Sequence, residues 1–414
     1  MTHSPNHSII NLQMSMTRLI PILGMVVIFA AATLLSKNRK AIPWRTVGIG
    51  LGLQILVALF VLRTGFGYNL MTKVSGAFVS VLNCSFAGSE FVFGDLGKHQ
   101  SSFGFVFAFQ ALPMIIFVAA LMSILYYLRI IPVLVTLTGK AMARLMGTSG
   151  AESLEVAASI LMGQTEAPLV IRPYLKDLTE SELMTIMTAG MAHIAGSVFG
   201  AYVLFGAEAR HLLTAVVMTA PGTIVLSKML IPETGHPLTA GNVKLTEEGK
   251  PINLLDAASR GVSDGLHLAL NVAAMLVAFV ALIYLVNLGL GAFHTTLQTL
   301  LGYPLAPVAW LLGVPWKDAA TVGNLMGTKV VVNEFVAFSM LGPLKGHIAE
   351  RSFTIATFAL CGFANFSSIG IQIGGIGALA PTRKQDLARL GFRALIAGTL
   401  ANYLAAAIAG LLLA

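Results

Sequence analysis

Two short polar segments interrupt long apolar stretches of this chain, and each contains a carboxylate. Gln164, Thr165 and Glu166 belong to the first segment, and Asn333 and Glu334 belong to the second. An ionisable group at the depth of a lipid bilayer is costly, so by default it marks a binding site or a transport pathway. The apolar runs beside the first segment are too short to span separately. We therefore expect both segments to be tips of re-entrant hairpins, which a membrane tolerates only when they are buried in protein or line a cavity.

Polar residues also interrupt two other apolar runs. Asn365 and Ser368 lie in one of them, and residues 192–200 break the other. If the four interruptions converge, they form a small polar site lined by Val198 and Phe363. Carboxylates accept paired hydrogen bonds from vicinal hydroxyls, and amides can both donate to and accept from the edge of a heterocycle. The pattern predicts a neutral, hydroxyl-rich ligand with a flat apolar part.

Each carboxylate also has a purely structural interpretation. Lys329, five residues before Glu334, could pair with it as scaffolding inside the hairpin. Glu166 could cap backbone N–H groups at the start of the second hairpin helix, where an anion is favoured. Apart from Lys329, no Lys or Arg lies at the tips, which argues against an anionic ligand.

The composition is that of a polytopic membrane protein. Of the 414 residues, 56% are hydrophobic and 11% are charged, and the mean hydropathy is +0.82; these values lie outside the range of soluble domains. We interpret the net charge of +8 as cytoplasmic anchoring and not as nucleic-acid binding. Two cysteines are too few for a disulfide framework. Because no metal-ligand spacing, nucleotide-binding glycine pattern or nucleophile elbow is present, we expect no metal, no cofactor and no catalytic residue.

Apolar stretches of about 20 residues predict an all-α polytopic membrane protein with about eight transmembrane helices, two re-entrant hairpins and interfacial helices. The predicted spans are 19–36, 46–62, 102–128, 183–205, 212–231, 266–290, 353–382 and 394–414. The hairpins are predicted at 151–176 and 303–342. We expect an interfacial helix with an external loop at 67–100, and a cytoplasmic interfacial helix at 129–144.

Basic clusters set the predicted orientation. Lys37, Arg39 and Lys40 follow the first span directly, and Arg383 and Lys384 precede the last one. Because loops rich in Lys and Arg stay in the cytoplasm, both chain termini are expected on the external side.

The order of the interruptions predicts an inverted repeat. A hairpin, a broken span and an unbroken span occur twice, first starting inside and then starting outside, which is typical of secondary transporters with a site near the membrane midplane. The predicted units are 1–145, mainly scaffold with the first three spans and interfacial helices; 146–231, the first repeat; 232–302, a loop, a long scaffold span and an interfacial helix; and 303–414, the second repeat.

Four motifs resemble those of the concentrative nucleoside transporter family in order and spacing. They are GQTEAPLVIRPYL at 163–175, AGSVFGAY at 195–202, VVNEFVAF at 331–338 and CGFANFSSIG at 361–370. The resemblance runs from about residue 19 to the end of the chain. It implies a bacterial inner-membrane protein that takes up nucleosides such as uridine by cation symport. It also implies a homotrimer in which a mobile transport domain moves against a rigid scaffold, as in an elevator.

The motifs also imply roles for individual residues. Residues facing the nucleobase would be Gln164, Thr165 and Glu166, with Val198 and Phe363 packing on it. Glu334 would hold the ribose hydroxyls, with Asn365 and Ser368 completing the sugar end. Leu266 or Leu268 would add an apolar wall. Gly163 favours acceptance of purine nucleosides as well, since the missing side chain leaves room near the base.

The positions that hold the cation in sodium-coupled family members differ here. Ser159 stands where those members have Asn, and His193 stands where they have Ser or Thr, with Met162 and Ile194 at the backbone-carbonyl positions. Imidazole is a poor substitute for a hydroxyl at a hard cation, and it titrates near neutral pH. We expect proton coupling with His193 as a candidate carrier and Glu334 or Glu166 as the alternative carrier. A neutral, hydrogen-bonded His193 and sodium coupling stay open.

Two other classes of protein compete with a transporter. The two carboxylates could be the hydrolytic pair of an intramembrane enzyme, but the sequence contains no HExxH motif. A passive channel does not need ligand-grade polar residues at both tips. The inverted repeat favours a transporter, not an enzyme.

Overall fold

The computed structural model describes residues 5–239 and 251–413, with residues 5–18 as backbone only. Every regular element in these two ranges is a helix. Parts of two predictions lie outside the described residues: residues 240–250 of the unit 232–302, and Ala414 at the end of the last span.

Seventeen α-helices occur in the described ranges. In chain order they are α1 (Pro5–Leu34), α2 (Trp44–Arg63), α3 (Gly65–Asn83), α4 (Ser85–Phe93), α5 (Phe107–Tyr127), α6 (Ile130–Met146), α7 (Gly150–Ser159), α8 (Glu180–Ala192), α9 (Gly196–Leu204), α10 (Ala209–Leu230), α11 (Leu254–Leu290), α12 (Leu297–Leu311), α13 (Trp316–Val331), α14 (Glu334–Leu341), α15 (Glu350–Leu360), α16 (Phe366–Leu379) and α17 (Lys384–Leu412).

The number of candidate spans agrees with the prediction, but their positions agree only in part, since the predicted spans 19–36 and 353–382 are not among them. By length and hydropathy, seven described helices could cross a membrane, or eight if the bent pair α12 and α13 is one span. Residues Gly65–Gly97 qualify as a candidate span. Helices α3 and α4 follow each other almost without interruption, and a non-helical segment precedes α5. The prediction of an interfacial helix with an external loop at 67–100 therefore stays a prediction.

The first hairpin forms as predicted. Helix α7 begins with a capping box, in which Ser149 and Glu152 satisfy each other's backbone N–H groups. A turn follows, and the chain returns as a 3₁₀ helix at Ala167–Asp177 that packs against α7. Pro168 and Pro173 explain this element, because proline lacks the N–H and clashes with the preceding turn of an α-helix.

The second hairpin is shorter than predicted. It consists of α13 and α14, with the tip at Val332 and Asn333. Helix α12 is a separate element, bent by 117° from α13. The predicted start at residue 303 is therefore wrong. Pro304 and Pro307 lie inside α12, and the chain turns at Gly313, whose φ is +101°.

The two broken spans are α8–α9 and α15–α16, and their breaks touch. The backbone N–H of Phe363 donates to the carbonyl of His193 at 3.2 Å. Asn402 of α17 joins the same two breaks, since its Nδ2 donates to the carbonyls of Ala192 at 2.7 Å and of Cys361 at 2.8 Å. Helix ends inside a membrane protein need such partners for their free carbonyls.

Helix α11 lies at the periphery and the repeats lie at the centre. In the most apolar part of Leu254–Phe293 only 6% of the residues are buried, against 94% for Glu180–Leu204. Helix α11 packs mainly along α5, whereas α1 packs on α17 and α2 packs on α10. The predicted division into four units stays a prediction, although these contacts associate α1 and α2 with the repeats.

Candidate functional site

The four interruptions surround one cavity of about 310 Å³. All eight residues predicted to bind a ligand line it: Gln164, Thr165, Glu166, Val198, Glu334, Phe363, Asn365 and Ser368. Helix α11 closes the remaining side with Leu268, Asn271, Val272, Met275 and Leu276. Of the two alternatives for an apolar wall, Leu268 lines this cavity and Leu266 lines a separate groove.

Glu334 is held from both repeats. Its Oε1 accepts a hydrogen bond from the Tyr202 phenol at 3.2 Å, and its Oε2 accepts one from Asn365 Nδ2 at 3.0 Å. Asn333 caps α14 by accepting the N–H of Val336 at 2.9 Å, which places Glu334 at the first helical position. The carboxylate is 4% exposed. Each oxygen has lone pairs left for a ligand, because a carboxylate accepts about four hydrogen bonds.

Lys329 does not serve as the partner of Glu334. Within the described chain no ion pair within 4.0 Å joins the two residues. The fully buried ammonium of Lys329 donates instead to the carbonyl of Ala359 at 2.9 Å and to Asn402 Oδ1 at 2.7 Å. The interpretation of Lys329 as scaffolding inside the hairpin is therefore wrong, because its hydrogen bonds join the hairpin to α15 and α17.

Glu166 closes the turn of the first tip. Its Oε2 accepts the backbone N–H of Gly163 at 3.2 Å, while its own N–H donates to the carbonyl of Gly163 at 3.0 Å. It therefore caps the turn and not the following 3₁₀ helix, which has no side-chain cap. A Cβ at Gly163 would lie 3.3 Å from the Ala195 Cβ, so this tip sits directly on the first broken span.

The amide of Gln164 is engaged on both sides. Its Nε2 donates to Ser368 Oγ at 3.2 Å, and its Oε1 accepts from Gln372 Nε2 at 3.3 Å. This contact joins the first hairpin to the second broken span. A bound ligand would therefore meet the carboxylate of Glu334 at one end of the cavity and the amide of Gln164 at the other. Most of the remaining lining is apolar.

Comparisons with known proteins agree with this geometry. Three family models match in succession: "Na+ dependent nucleoside transporter N-terminus" at residues 23–96, "Nucleoside recognition" at 108–209 and "Na+ dependent nucleoside transporter C-terminus" at 211–410. The uncharacterized transporter YutK of Bacillus subtilis is 45% identical over 94% of this chain and 98% of its own length. The chain belongs to the concentrative nucleoside transporter family.

Two further relatives are informative. The nucleoside permease NupC of Helicobacter pylori is 39% identical over 96% of this chain and 98% of its own length. The structure of CNTnw in an inward-facing, substrate-bound state superposes with a TM-score of 0.92, at 41% identity, covering 96% of this chain and 98% of that one. The protein is thus a multi-pass nucleoside transporter, as its motifs indicated.

The four candidate cation residues of this nucleoside transporter do not line the cavity. They lie behind the first tip, where the N–H of Gly196 donates to the carbonyl of Leu161 at 3.1 Å and so brings Met162 and Ile194 into adjacent segments. His193 ends α8, and its Nδ1 lies 3.0 Å from the carbonyl of Ala189. In the tautomer that makes this hydrogen bond, Nε2 is the unprotonated nitrogen; it is buried and bonds to no described residue.

Ser159 has a partner that the sequence reasoning missed. Its hydroxyl donates to Glu155 Oε1 at 3.0 Å, and both side chains are buried in α7. The other oxygen of Glu155 bonds to no described residue. The signal was present, because Glu155 lies four residues before Ser159 on the same face of a helix otherwise rich in small residues.

Sequence reasoning missed three further polar residues of this nucleoside transporter, one that lines the cavity and two that hold residues lining it. Tyr202 holds Glu334, and Gln372 holds Gln164. Asn271 lines the cavity from α11. Asn271 is the one that could have been found, since an amide in the middle of an apolar span needs an explanation.

Proposed function

We propose that this transporter carries nucleosides such as uridine, and purine nucleosides as well, with the substrate bound in the 310 Å³ cavity between the two hairpin tips. The observation that carries the proposal is the convergence of all eight predicted ligand residues on that one cavity. Its size lies at the lower end of the range for small-molecule sites, about 300–1,000 Å³. Glu334 and Asn365 would bind the ribose hydroxyls with Ser368, and the first tip would bind the base.

The proposed mechanism is a symport of the elevator type in a homotrimer. The hairpins and broken spans are joined to one another by buried hydrogen bonds, whereas α11 packs on α5 and contributes one wall of the cavity. Sliding of the repeats along α11 would carry the bound nucleoside across. Helices α1 and α2 would move with the repeats, because they pack on α17 and α10.

The proposed coupling ion is the proton. Ser159 and His193 replace the oxygen-donating side chains of the sodium-coupled pattern, and His193 Nε2 is buried beside the first tip. We propose His193 as carrier, with Glu334 or Glu166 as the alternative. Sodium coupling is the competing function, favoured by the description of the family models as sodium-dependent. An intramembrane carboxylate enzyme is the more distant alternative.

The proposed location is a bacterial inner membrane, with both termini on the external side. The basic residues support this orientation, since Lys37, Arg383 and Arg389 lie at neighbouring helix ends, where Lys37 and Arg389 both pair with Glu180. Cysteine labelling at the two ends of the chain in intact cells and in inverted vesicles would test it.

Uptake of radiolabelled uridine into proteoliposomes tests the proposal under two separate gradients. One condition has an inward proton gradient without sodium, and the other has an inward sodium gradient at equal pH. Accumulation in the first alone supports proton coupling, and accumulation in the second alone favours the sodium alternative. Chromatography of the recovered label should show unchanged uridine; a converted product would favour the enzyme. Absence of accumulation in both, with Glu334→Gln behaving like the parent protein, would contradict nucleoside symport.

A further inference from the structure

Gln372 is a fully buried residue of α16 that does not line the cavity. It lies four residues after Ser368, so the two side chains share one face of the helix. Both contact Gln164: Ser368 accepts from its Nε2 and Gln372 donates to its Oε1. The amide at the first tip is thus held between two residues of the second broken span.

The backbone of α8 fixes which way the Gln372 amide faces. Gln372 Nε2 donates to the carbonyl of Met187 at 3.0 Å. A carbonyl oxygen only accepts hydrogen bonds, so the NH₂ group of Gln372 must face it. The same NH₂ group lies 3.3 Å from Gln164. Two NH₂ groups do not bond to each other, so Gln164 must present its oxygen to Gln372 and its own NH₂ group to the other side.

Both glutamine side chains pack closely against α8. Gly190 of α8 faces both glutamines, and a Cβ there would lie 2.5 Å from Gln372 Nε2 and 2.9 Å from the Gln164 Cβ. Of the two hydrogens on Gln164 Nε2, one goes to Ser368 Oγ. The second N–H is left for a ligand, because Gln164 lines the cavity.

We propose that Gln372 is a positioning residue for base selectivity. This inference rests on the proposed nucleoside site. Gln372 holds the Gln164 amide with an N–H toward the cavity, so the transporter prefers bases that present a carbonyl oxygen there over bases that present an amino group. Uridine should be favoured over cytidine, and inosine over adenosine. Within each pair, an exocyclic carbonyl oxygen is replaced by an amino group, and the neighbouring ring N–H becomes an acceptor nitrogen.

Gln372→Met is the variant that tests this inference. Methionine keeps the length and volume of the side chain and removes both hydrogen bonds, so the Gln164 amide can rotate. The measurement is competition of unlabelled nucleosides with labelled uridine uptake. We expect the uridine-to-cytidine and inosine-to-adenosine preferences to fall by about three- to tenfold, the usual effect of one hydrogen bond. The preference for uridine over 2′-deoxyuridine should stay within about twofold, because Glu334 is untouched.

Gln54→Met is a closely matched control. Gln54 is also fully buried, its Nε2 donates to a helix carbonyl, that of Met218, at 2.9 Å, and its Oε1 bonds to no described residue. It differs in lying in α2, away from Gln164. This variant should lose stability as Gln372→Met does and keep the base preferences of the parent protein.

The competition assay distinguishes failure of the Gln372 inference from failure of the proposed nucleoside transport. Unchanged base preferences in Gln372→Met, or a parent protein with no preference for carbonyl bases, would overturn the inference while leaving nucleoside transport intact. If no nucleoside competes in the parent protein, the proposed function itself fails. If neither Gln372→Met nor Gln372→Leu reaches the membrane while Gln54→Met does, Gln372 serves the fold and the inference is also overturned.

Discussion

The Tyr202 hydroxyl donates to Glu334 Oε1 at 3.2 Å, and this hydrogen bond joins the first broken span to the second hairpin at the cavity. Tyr202 belongs to the first broken span and Glu334 to the second hairpin. The Tyr202 ring is completely buried and stacks on Phe338, with ring centroids 4.4 Å apart and planes inclined by 20°. The phenol therefore cannot leave without repacking α14, and it fixes the plane of the carboxylate.

Replacing Tyr202 by Phe should weaken substrate binding and leave the fold intact. The ring contacts remain, but Glu334 loses one of its two fixed donors and gains rotational freedom. A hydrogen bond to a charged group is worth about 1.5–3 kcal/mol, so we expect the KM for uridine to rise roughly tenfold, with a smaller change in the maximal rate. Initial uptake rates at varied uridine concentration measure both.

Tyr403→Phe is the control for this change. Tyr403 is a buried tyrosine of α17, and it does not line the cavity. The KM of the Tyr403→Phe variant for uridine should equal that of the parent protein. An unchanged KM in Tyr202→Phe would mean that Asn365 alone orients Glu334.

The sequence predicted the cavity residues well for a physical reason. Gln164, Glu166, Glu334 and Asn365 are polar residues in apolar runs, and a buried polar group must be satisfied by a partner or a ligand wherever the chain folds. Tyr202 gave no such signal, because an aromatic residue is ordinary in an apolar span. The Tyr202 hydroxyl reaches Glu334 because the two repeats pack against each other, and a single sequence does not show how distant helices pack.

The errors in the fold have a similar origin. Proline ordinarily breaks a helix, yet α12 contains both Pro304 and Pro307, since in proteins the cost of an internal proline depends on whether neighbouring groups satisfy the freed carbonyl. Lys329 suggested a partner five residues away along the chain. Its actual partner, Asn402, is far away in sequence and was hidden in the last span.

Lys329 and Asn402 should be coupled in stability. The ammonium lies near the carboxyl-terminal end of α15, where a cation is favoured, and Asn402 extends the contact to the end of α8. Lys329→Met leaves two buried acceptors without a donor, so we expect the free energy of unfolding to fall by about 2–3 kcal/mol. Asn402→Leu should cost a similar amount, and the double variant should cost less than the sum, because both disrupt one network.

Thermal unfolding of the purified protein in detergent measures these effects. Lys317→Met is the control, since Lys317 lies on the same helix and is exposed; its melting temperature should match that of the parent protein. Strict additivity of the two buried changes would show that Lys329 and Asn402 act independently.

Restoring oxygen ligands behind the first tip should create sodium dependence. Ser159→Asn and His193→Thr together place an amide oxygen and a hydroxyl where the sodium-coupled pattern has them, and sodium prefers such oxygen donors. Glu155 would contribute a nearby carboxyl oxygen, because its Oε1 contacts residue 159 in the parent protein. We expect sodium to stimulate uridine uptake at fixed pH in the double variant, and stimulation by an inward proton gradient to decrease.

The single variants serve as controls for the cation site. Ser159→Asn alone keeps the imidazole and should respond weakly to sodium, and so should His193→Thr alone. If the double variant shows no response to sodium, these two positions do not form the cation site. A sodium response in the parent protein would instead support the sodium alternative.

Helix α11 should be positioned by two glycines, and Gly265 allows the sharpest test. Gly261 and Gly265 lie against α5; a Cβ at Gly265 would stand 2.8 Å from both the Ala119 Cβ and the Ile116 Cα. The second of these atoms is backbone and cannot move aside. Gly265→Ala should therefore force the helices apart, at a cost of about 1–3 kcal/mol.

The same change should reach the cavity. Leu268 and Asn271, one to two turns beyond Gly265, form part of the cavity wall, so a tilt of α11 displaces them and the KM for uridine should rise with the loss of stability. Gly289→Ala is the matched control on the same helix, because a Cβ there meets no atom within 4 Å. Since alanine is favoured over glycine in a helix by about 1 kcal/mol, that control should keep or raise the melting temperature. If Gly265→Ala keeps the stability and the KM of the parent protein, α5 does not set the position of α11. The proposal that the repeats slide along a fixed α11 would then lose its structural support.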